Sequence, residues 1–356
     1  VNDLTVNGTA TLNGPLQALG TIKLDGNYPT GTNNVALGDT ALDSVQAGGN
    51  CNVAIGANAL TALTTSDDNT AVGHNALCTN TTGCRNTAIG HNSMDVNISG
   101  DFNTALGRSS LSANTTANDN TAIGYHSMLT NTTGASNVAV GSQSLLANTT
   151  GGNNVSVGKC ALCTNTEGAQ NIAIGTEALS KNTTAENNTA VGHRALQLNT
   201  TGTANVAVGR QALKINTTAS NNTAVGLDAL VANTTGCRNV AVGSCALKAN
   251  TTGVQNEAIG YLAMCSNTEG SCNIAIGSAL GDNTTGGNNV GIGFIALSNN
   301  TTASNNTAVG RSALQENTVG HSNTGIGQGA LQATTDGDQN TAVGTDALTT
   351  ATTAGS

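Results

Sequence analysis

An Asn opens a five-residue motif at Asn34 (NVALG), Asn52 (NVAIG), Asn69 (NTAVG), Asn86 (NTAIG) and Asn103 (NTALG), and onward to Asn340 (NTAVG), nineteen times in all. The spacing is 18 residues once, 17 thirteen times, 16 once and 17 three times, with the consensus N-[TV]-A-[VI]-G-x-x-A-L-x-x-N-T-T-G-x-x. A unit this short buries its apolar positions only by stacking on its neighbours. It is also too short for a helical-hairpin repeat, which takes about 30 residues or more. One coil of a β-solenoid fits: a strand over positions 1–4, a Gly turn, a second short strand over positions 7–10, and the NTTG corner. In that corner Gly supplies φ > 0 and Asn caps its own backbone. The expected fold is all-β, a parallel β-roll or β-helix of nineteen coils. At ~4.8 Å per rung it makes a rod about 90 Å long, with Asn and Thr columns stacked into side-chain ladders.

Position 1 is Asn and position 5 is Gly in all nineteen units. Position 3 is Ala except at Ser156, Gly291 and Gly325; position 4 is Val, Ile or Leu; position 8 is Ala or Ser; position 9 is Leu or Met. In the 16-residue unit Ala279-Leu280 arrives one residue early, so its deletion falls in the variable pair after Gly277. Neighbouring strand residues point to opposite sides, yet positions 3 and 4 are both apolar, as are 8 and 9. This pattern predicts bulky residues at 4 and 9 filling the coil. Ala at 3 and 8 then lies outside, where a second chain can approach closely, and an oligomeric rod follows. The alternative is that Ala merely fits a thin β-structure.

Composition narrows the function. Charged residues are 9% of the chain and aromatics number five (Tyr28, Phe102, Tyr125, Tyr261, Phe294), too few for a conventional core. Net charge is −9 with 11 Lys+Arg in no cluster, which sets nucleic-acid binding aside. No stretch approaches the ~18 apolar residues of a membrane span. Val1 opens the chain with no charged-then-apolar leader in view, as expected of a processed chain or a piece of a longer one.

The NxAIG motif followed by xxA/S resembles the head repeats of YadA-type trimeric autotransporter adhesins, although those repeats are usually shorter. The resemblance implies a left-handed parallel β-roll assembled as a homotrimer. The longer form NTAVGxxALxxNTTGxx resembles repeats of bacteriophage tail-fibre and other structural proteins, and the opening VNDLTVNGTATLNG resembles the short β-repeats that lead into phage fibre shafts. It covers residues 34–350 well and 1–33 loosely.

Position 6 is the variable column where contact chemistry concentrates. It carries His74, His91, Arg108, Tyr125, Lys159, His193, Arg210, Tyr261, Phe294 and Arg311. Such a mixture has to be exposed. It is a candidate stripe for a receptor or glycan, against the plainer reading of a tolerant solvated edge. His74 and His91 share this column one coil apart, but two ligands without a third make no metal site. Asp67/Asp68 and Asp336/Asp338 read as surface turns, since the GGxGxD calcium repeat is absent. No Ser/His/Asp order, GxSxG, P-loop or GxGxxG supports catalysis. A non-enzymatic protein without cofactor or metal is expected.

Eight of the nine cysteines fall into near neighbours: Cys78/Cys84, Cys160/Cys163, Cys237/Cys245 and Cys265/Cys272. All four pairs draw on columns 7, 10 and 16–17, which predicts that these columns share one edge and that the pairs close as disulfides in an extracellular or virion-surface setting. The competing reading is small buried free thiols. Cys51 is left over. Eleven corners carry the sequon NTT, from Asn80 and Asn114 through Asn300. The structural role of that Asn is favoured over glycosylation because it belongs to the repeat itself.

Together these readings predict a lead-in or attachment segment over 1–33, a solenoid shaft over 34–350 and a tail over 351–356. The expected role is a virion structural fibre, such as a phage tail or capsid fibre. Its expected partners are its own copies, other virion or fibre proteins, and a host-surface glycan or protein receptor. An extracellular bacterial adhesin or filament subunit is the alternative, and an ice-binding solenoid a minor one.

Overall fold

The computed structural model describes residues 31–349. The expected tail and most of the lead-in lie outside the described residues. Each unit contributes one three-residue strand at positions 2–4, from Val35–Leu37 (β1) to Thr341–Val343 (β19). All nineteen form a single parallel sheet, each strand in register with that of the next unit, so Ala139 stands between Ala122 and Ser156. Register survives the irregular units: Val35 pairs with Val53 and Ile274 with Val290. Length changes are therefore absorbed in the turns. The chain is a β-solenoid, with no helix among the described residues.

The second strand expected over positions 7–10 is absent. Residues 7 and 9 both take left-handed backbone, as at Gln211 (φ 59°) and Leu213 (φ 51°), whereas a strand needs φ near −120 to −140°. The segment folds as turns instead, with Ala212 N–H donating to Gly209 O at 3.3 Å and Asn216 N–H to Leu213 O at 3.1 Å. Coil-to-coil bonding persists through it: Gln211 N–H donates to His193 O and Leu213 N–H to Ala229 O, each at 3.0 Å. Left-handed Leu costs about 1–2 kcal/mol. Its fully buried side chain returns about 1.5–3 kcal/mol, so packing wins.

The inside and outside also differ from expectation. Leu or Met at 9 fills the coil as expected, but Ala at positions 3 and 8 is buried with it, while Val and Ile at 4 face outward. Ala207 is fully buried between Val206 and Val208, which are each 36% exposed. Strand alternation puts 1 and 3 on one side and 2 and 4 on the other, and position 1 must face inward because its amide builds a buried ladder. Positions 8 and 9 both point inward because the left-handed residues break the alternation there. A coil this narrow accommodates Ala opposite Leu and little more. At Gly291 a Cβ would come within 3.2 Å of Ala279 Cβ and Leu280 Cγ, and those two belong to the shortened coil.

Two buried Asn ladders run along the rod, one at position 1 from Asn34 to Asn340 and one at position 12 from Asn80 to Asn317. In the first, Asn137 Oδ1 accepts the Asn154 N–H at 2.9 Å, and Asn137 Nδ2 donates to Gly151 O at 2.9 Å. In the second, Asn148 Nδ2 donates to Asn131 Oδ1 at 2.7 Å and to the same Gly151 O at 2.8 Å. The position 15 carbonyl thus joins the ladders of positions 1 and 12, and buried polar groups are satisfied as they must be. Where Thr334 replaces Asn in the second column, Asn317 Oδ1 is left without a donor. Thr adds a further row, for example Thr132 Oγ1 donating to Thr149 O at 3.0 Å.

Candidate functional site

Position 6 follows the Gly turn that ends each strand. That turn keeps the column apart from the core: Gly124 has φ 132°, and a Cβ on it would lie 2.5 Å from Gly141 O on the next rung. No side chain fits at position 5, so the chain swings outward at position 6. His74, His91, Arg108, Tyr125, Lys159, His193, Arg210, Tyr261, Phe294 and Arg311 are all exposed there. His74 and His91 stack with ring centroids 5.1 Å apart and planes 20° apart. Rings in this column can therefore stand across the rod axis, one rung from the next. Tyr125 turns instead onto its chain neighbour His126, at 3.7 Å.

None of the column's four cations, Arg108, Lys159, Arg210 and Arg311, is in a close ion pair among the described residues, although Lys159 adds a longer-range pull on Glu177. The two ion pairs lie in other columns: Arg194–Glu177 at 2.8 Å in column 7, and Arg85–Asp68 at 3.8 Å in column 17. The Arg194 guanidinium holds the Glu177 carboxyl below its ordinary range. Gln197 of column 10 also reaches Glu177, so columns 7 and 10 do adjoin. Arg85 further lies over the Phe102 ring at 5.2 Å.

All nine cysteines are free thiols, so the four expected disulfides are not formed. Cys160 and Cys163 are brought together: burial, and then the bonded Cys160 side chain, push Cys163 up to about 12. The other pairs are not joined. Strand Val240–Val242 stands between Cys237 and Cys245, because columns 16–17 precede the strand and column 7 follows it. Cys78 donates to Asp95 O and Cys84 to Thr82 O on either side of the corner, and burial raises the Cys78 thiol. Cys265 reaches Gly281 O, whereas Cys272 faces Gln255.

Among the described residues no three His, Cys, Asp or Glu side chains gather as a metal site. Asp67 and Asp338 serve as acceptors for backbone N–H groups of the preceding coil, at 2.7 and 2.6 Å. The eleven sequon Asn side chains are all fully buried in the position 12 ladder. What sequence reasoning missed is the outward row at position 4, which includes Ile89, Leu106, Ile174, Ile259 and Ile276, each 37–44% exposed. Its signal was present in the strand alternation, had Asn at position 1 been taken as an inward residue.

No protein-family model matches the chain, and no curated protein matches it either.

Proposed function

We propose that the chain is the shaft of a trimeric structural fibre, carried on a virion such as a phage tail or capsid fibre, which spans distance and displays the position 6 column. The observation that carries this reading is the unbroken outward row of Val, Ile and Leu at position 4, in register over nineteen rungs. The row takes the place of the outer Ala columns as the surface for a second and third copy. Covering a half-exposed Val or Ile contributes about 1 kcal/mol. Summed over the rungs, this exceeds the roughly 4–15 kcal/mol cost of association. Repetition along the rod would also let weak contacts in column 6 act by avidity. The resemblance to phage fibre repeats supports the virion setting; a bacterial adhesin or filament shares the same architecture.

Light scattering under non-reducing conditions tests the assembly. A mass three times the 35.0 kDa chain is expected. Glu substitutions at Val140, Ile174 and Val208, three rungs of the outward row, are expected to reduce it to one chain while the β-signal in circular dichroism persists. A wild-type mass of one chain sinks the proposal.

The same outward face bears on ice binding, because Thr at position 2 stands beside Val or Ile at position 4. The Thr row is continuous over Thr70, Thr87, Thr104 and Thr121, then gives way to Val138, Val155 and Ile172, and later includes Glu257. A thermal-hysteresis assay separates the two functions, and no activity is expected.

A further inference from the structure

The repeat is shortened once, beside the two most exposed aromatic rings of the described residues. Tyr261 is 65% exposed and Phe294 59%. Both lie in column 6, two rungs apart, with Ser278 on the rung between them. Two steps of ~4.8 Å set these two column positions about 10 Å apart, and the stacked pair His74–His91 shows rings of this column standing one step apart, at 5.1 Å. A ligand seated midway would have about 5 Å to each position, wider than the ~3.5–4 Å contact between flat faces.

The deletion clears the floor of this slot. The 16-residue unit has no residue at column 7, and Gly277 turns at φ 91°, against 138° at Gly260 and 131° at Gly293. Ser278 Oγ donates to Tyr261 O at 2.9 Å, which fixes the hydroxyl in place with its lone pairs left to accept. Beyond the gap, a Cβ on Gly281 would meet only Ser298 O, at 3.8 Å. On the rung after Phe294, Arg311 is exposed and has no acidic partner among the described residues.

We infer that this slot binds a carboxylated pyranose. The C–H faces of the sugar pack on Tyr261 and Phe294, a sugar hydroxyl donates to Ser278, and the guanidinium of Arg311 takes the carboxylate. A flat aromatic ligand packs at about 3.5–4 Å and would underfill the gap, whereas a puckered ring fills it. The inference rests on column 6 being the contact surface of the rod, and it narrows that surface to one place and one ligand class.

The test is binding of trigalacturonic acid to the full chain, with maltotriose as the neutral control, by saturation-transfer NMR and calorimetry. The acid is expected to bind at least about ten-fold more tightly than maltotriose. Tyr261→Ser and Phe294→Ser should each weaken it about ten-fold, and Arg311→Gln should remove the preference for the acid. Inserting Asn between Ser278 and Ala279 restores a 17-residue unit and should abolish binding, whereas Tyr125→Ser should leave it unchanged. Ser already occupies column 6 at Ser142 and Ser244, so the aromatic variants are compatible with the fold. Absence of binding, equal binding of maltotriose, or binding that survives the insertion overturns the inference. Rod mass measured on the same samples separates this outcome from failure of the trimer: a trimer that binds no sugar refutes the slot alone.

Discussion

At the scale of single residues, the invariant positions are those where the next coil leaves no alternative. Gly at position 5 combines φ near +135° with a carbonyl directly above it, and Gly124→Ala is expected to cost about 3 kcal/mol or more, read as a lowered denaturation midpoint. The Asn137 side chain makes four hydrogen bonds, and Asn137→Ala leaves the Asn154 N–H buried without its acceptor. A loss of about 1–3 kcal/mol is expected, with faster exchange of the Asn154 amide by NMR. Thiol chemistry should follow burial: at pH 8, iodoacetamide is expected to label exposed Cys51 and Cys272 well before Cys163, whose thiol is pushed up to about 12. Equal rates in peptide mass spectra would contradict that environment. The Glu177 carboxyl is held low by Arg194, so this pair's stabilisation is present above the unfolded carboxylate pKa and fades as pH falls through the lower folded value. In Arg194→Gln, the NMR titration of Glu177 is expected to move back up toward the ordinary range.

At the scale of the coil, the sequence showed the period, the first strand (expected over positions 1–4, found over 2–4) and the Asn ladders, because each is written as a repeated residue type. It did not show the left-handed backbone at 7 and 9. An Ala-Leu pair reads the same in a strand as in a turn, and nothing about Leu213 announces φ 51°. The left-handed pair turns Ala at 8 inward beside Leu at 9, whereas the inward Asn at position 1 is what sets Ala at 3 inside and Val or Ile at 4 outside. The exposure of column 6 was legible because no interior accepts Arg, His and Tyr interchangeably. The slot at Ser278 was not, because it depends on how the shortened turn settles. If the coil is the folding unit, excising one whole repeat, 120–136, should shorten the rod by a rung with only a small change in thermal midpoint. Deleting Ala139 alone should be far more damaging, because it turns Val140 into the core and Val138 out of step with its neighbours. Circular dichroism melts of the two deletions compare them directly.

At the scale of the whole molecule, the coils of one chain present one parallel sheet of nineteen strands whose outward Val and Ile are too regular for a surface left to water. We therefore propose three chains side by side in one rod, joined through position 4. Mass per unit length tests it without reference to any single contact, and small-angle X-ray scattering of the full chain supplies both terms. A rod about 90 Å long carrying three 17-residue coils per ~4.8 Å of length is expected. One coil per rung at that same length would contradict the assembly and leave the outward row without its partner.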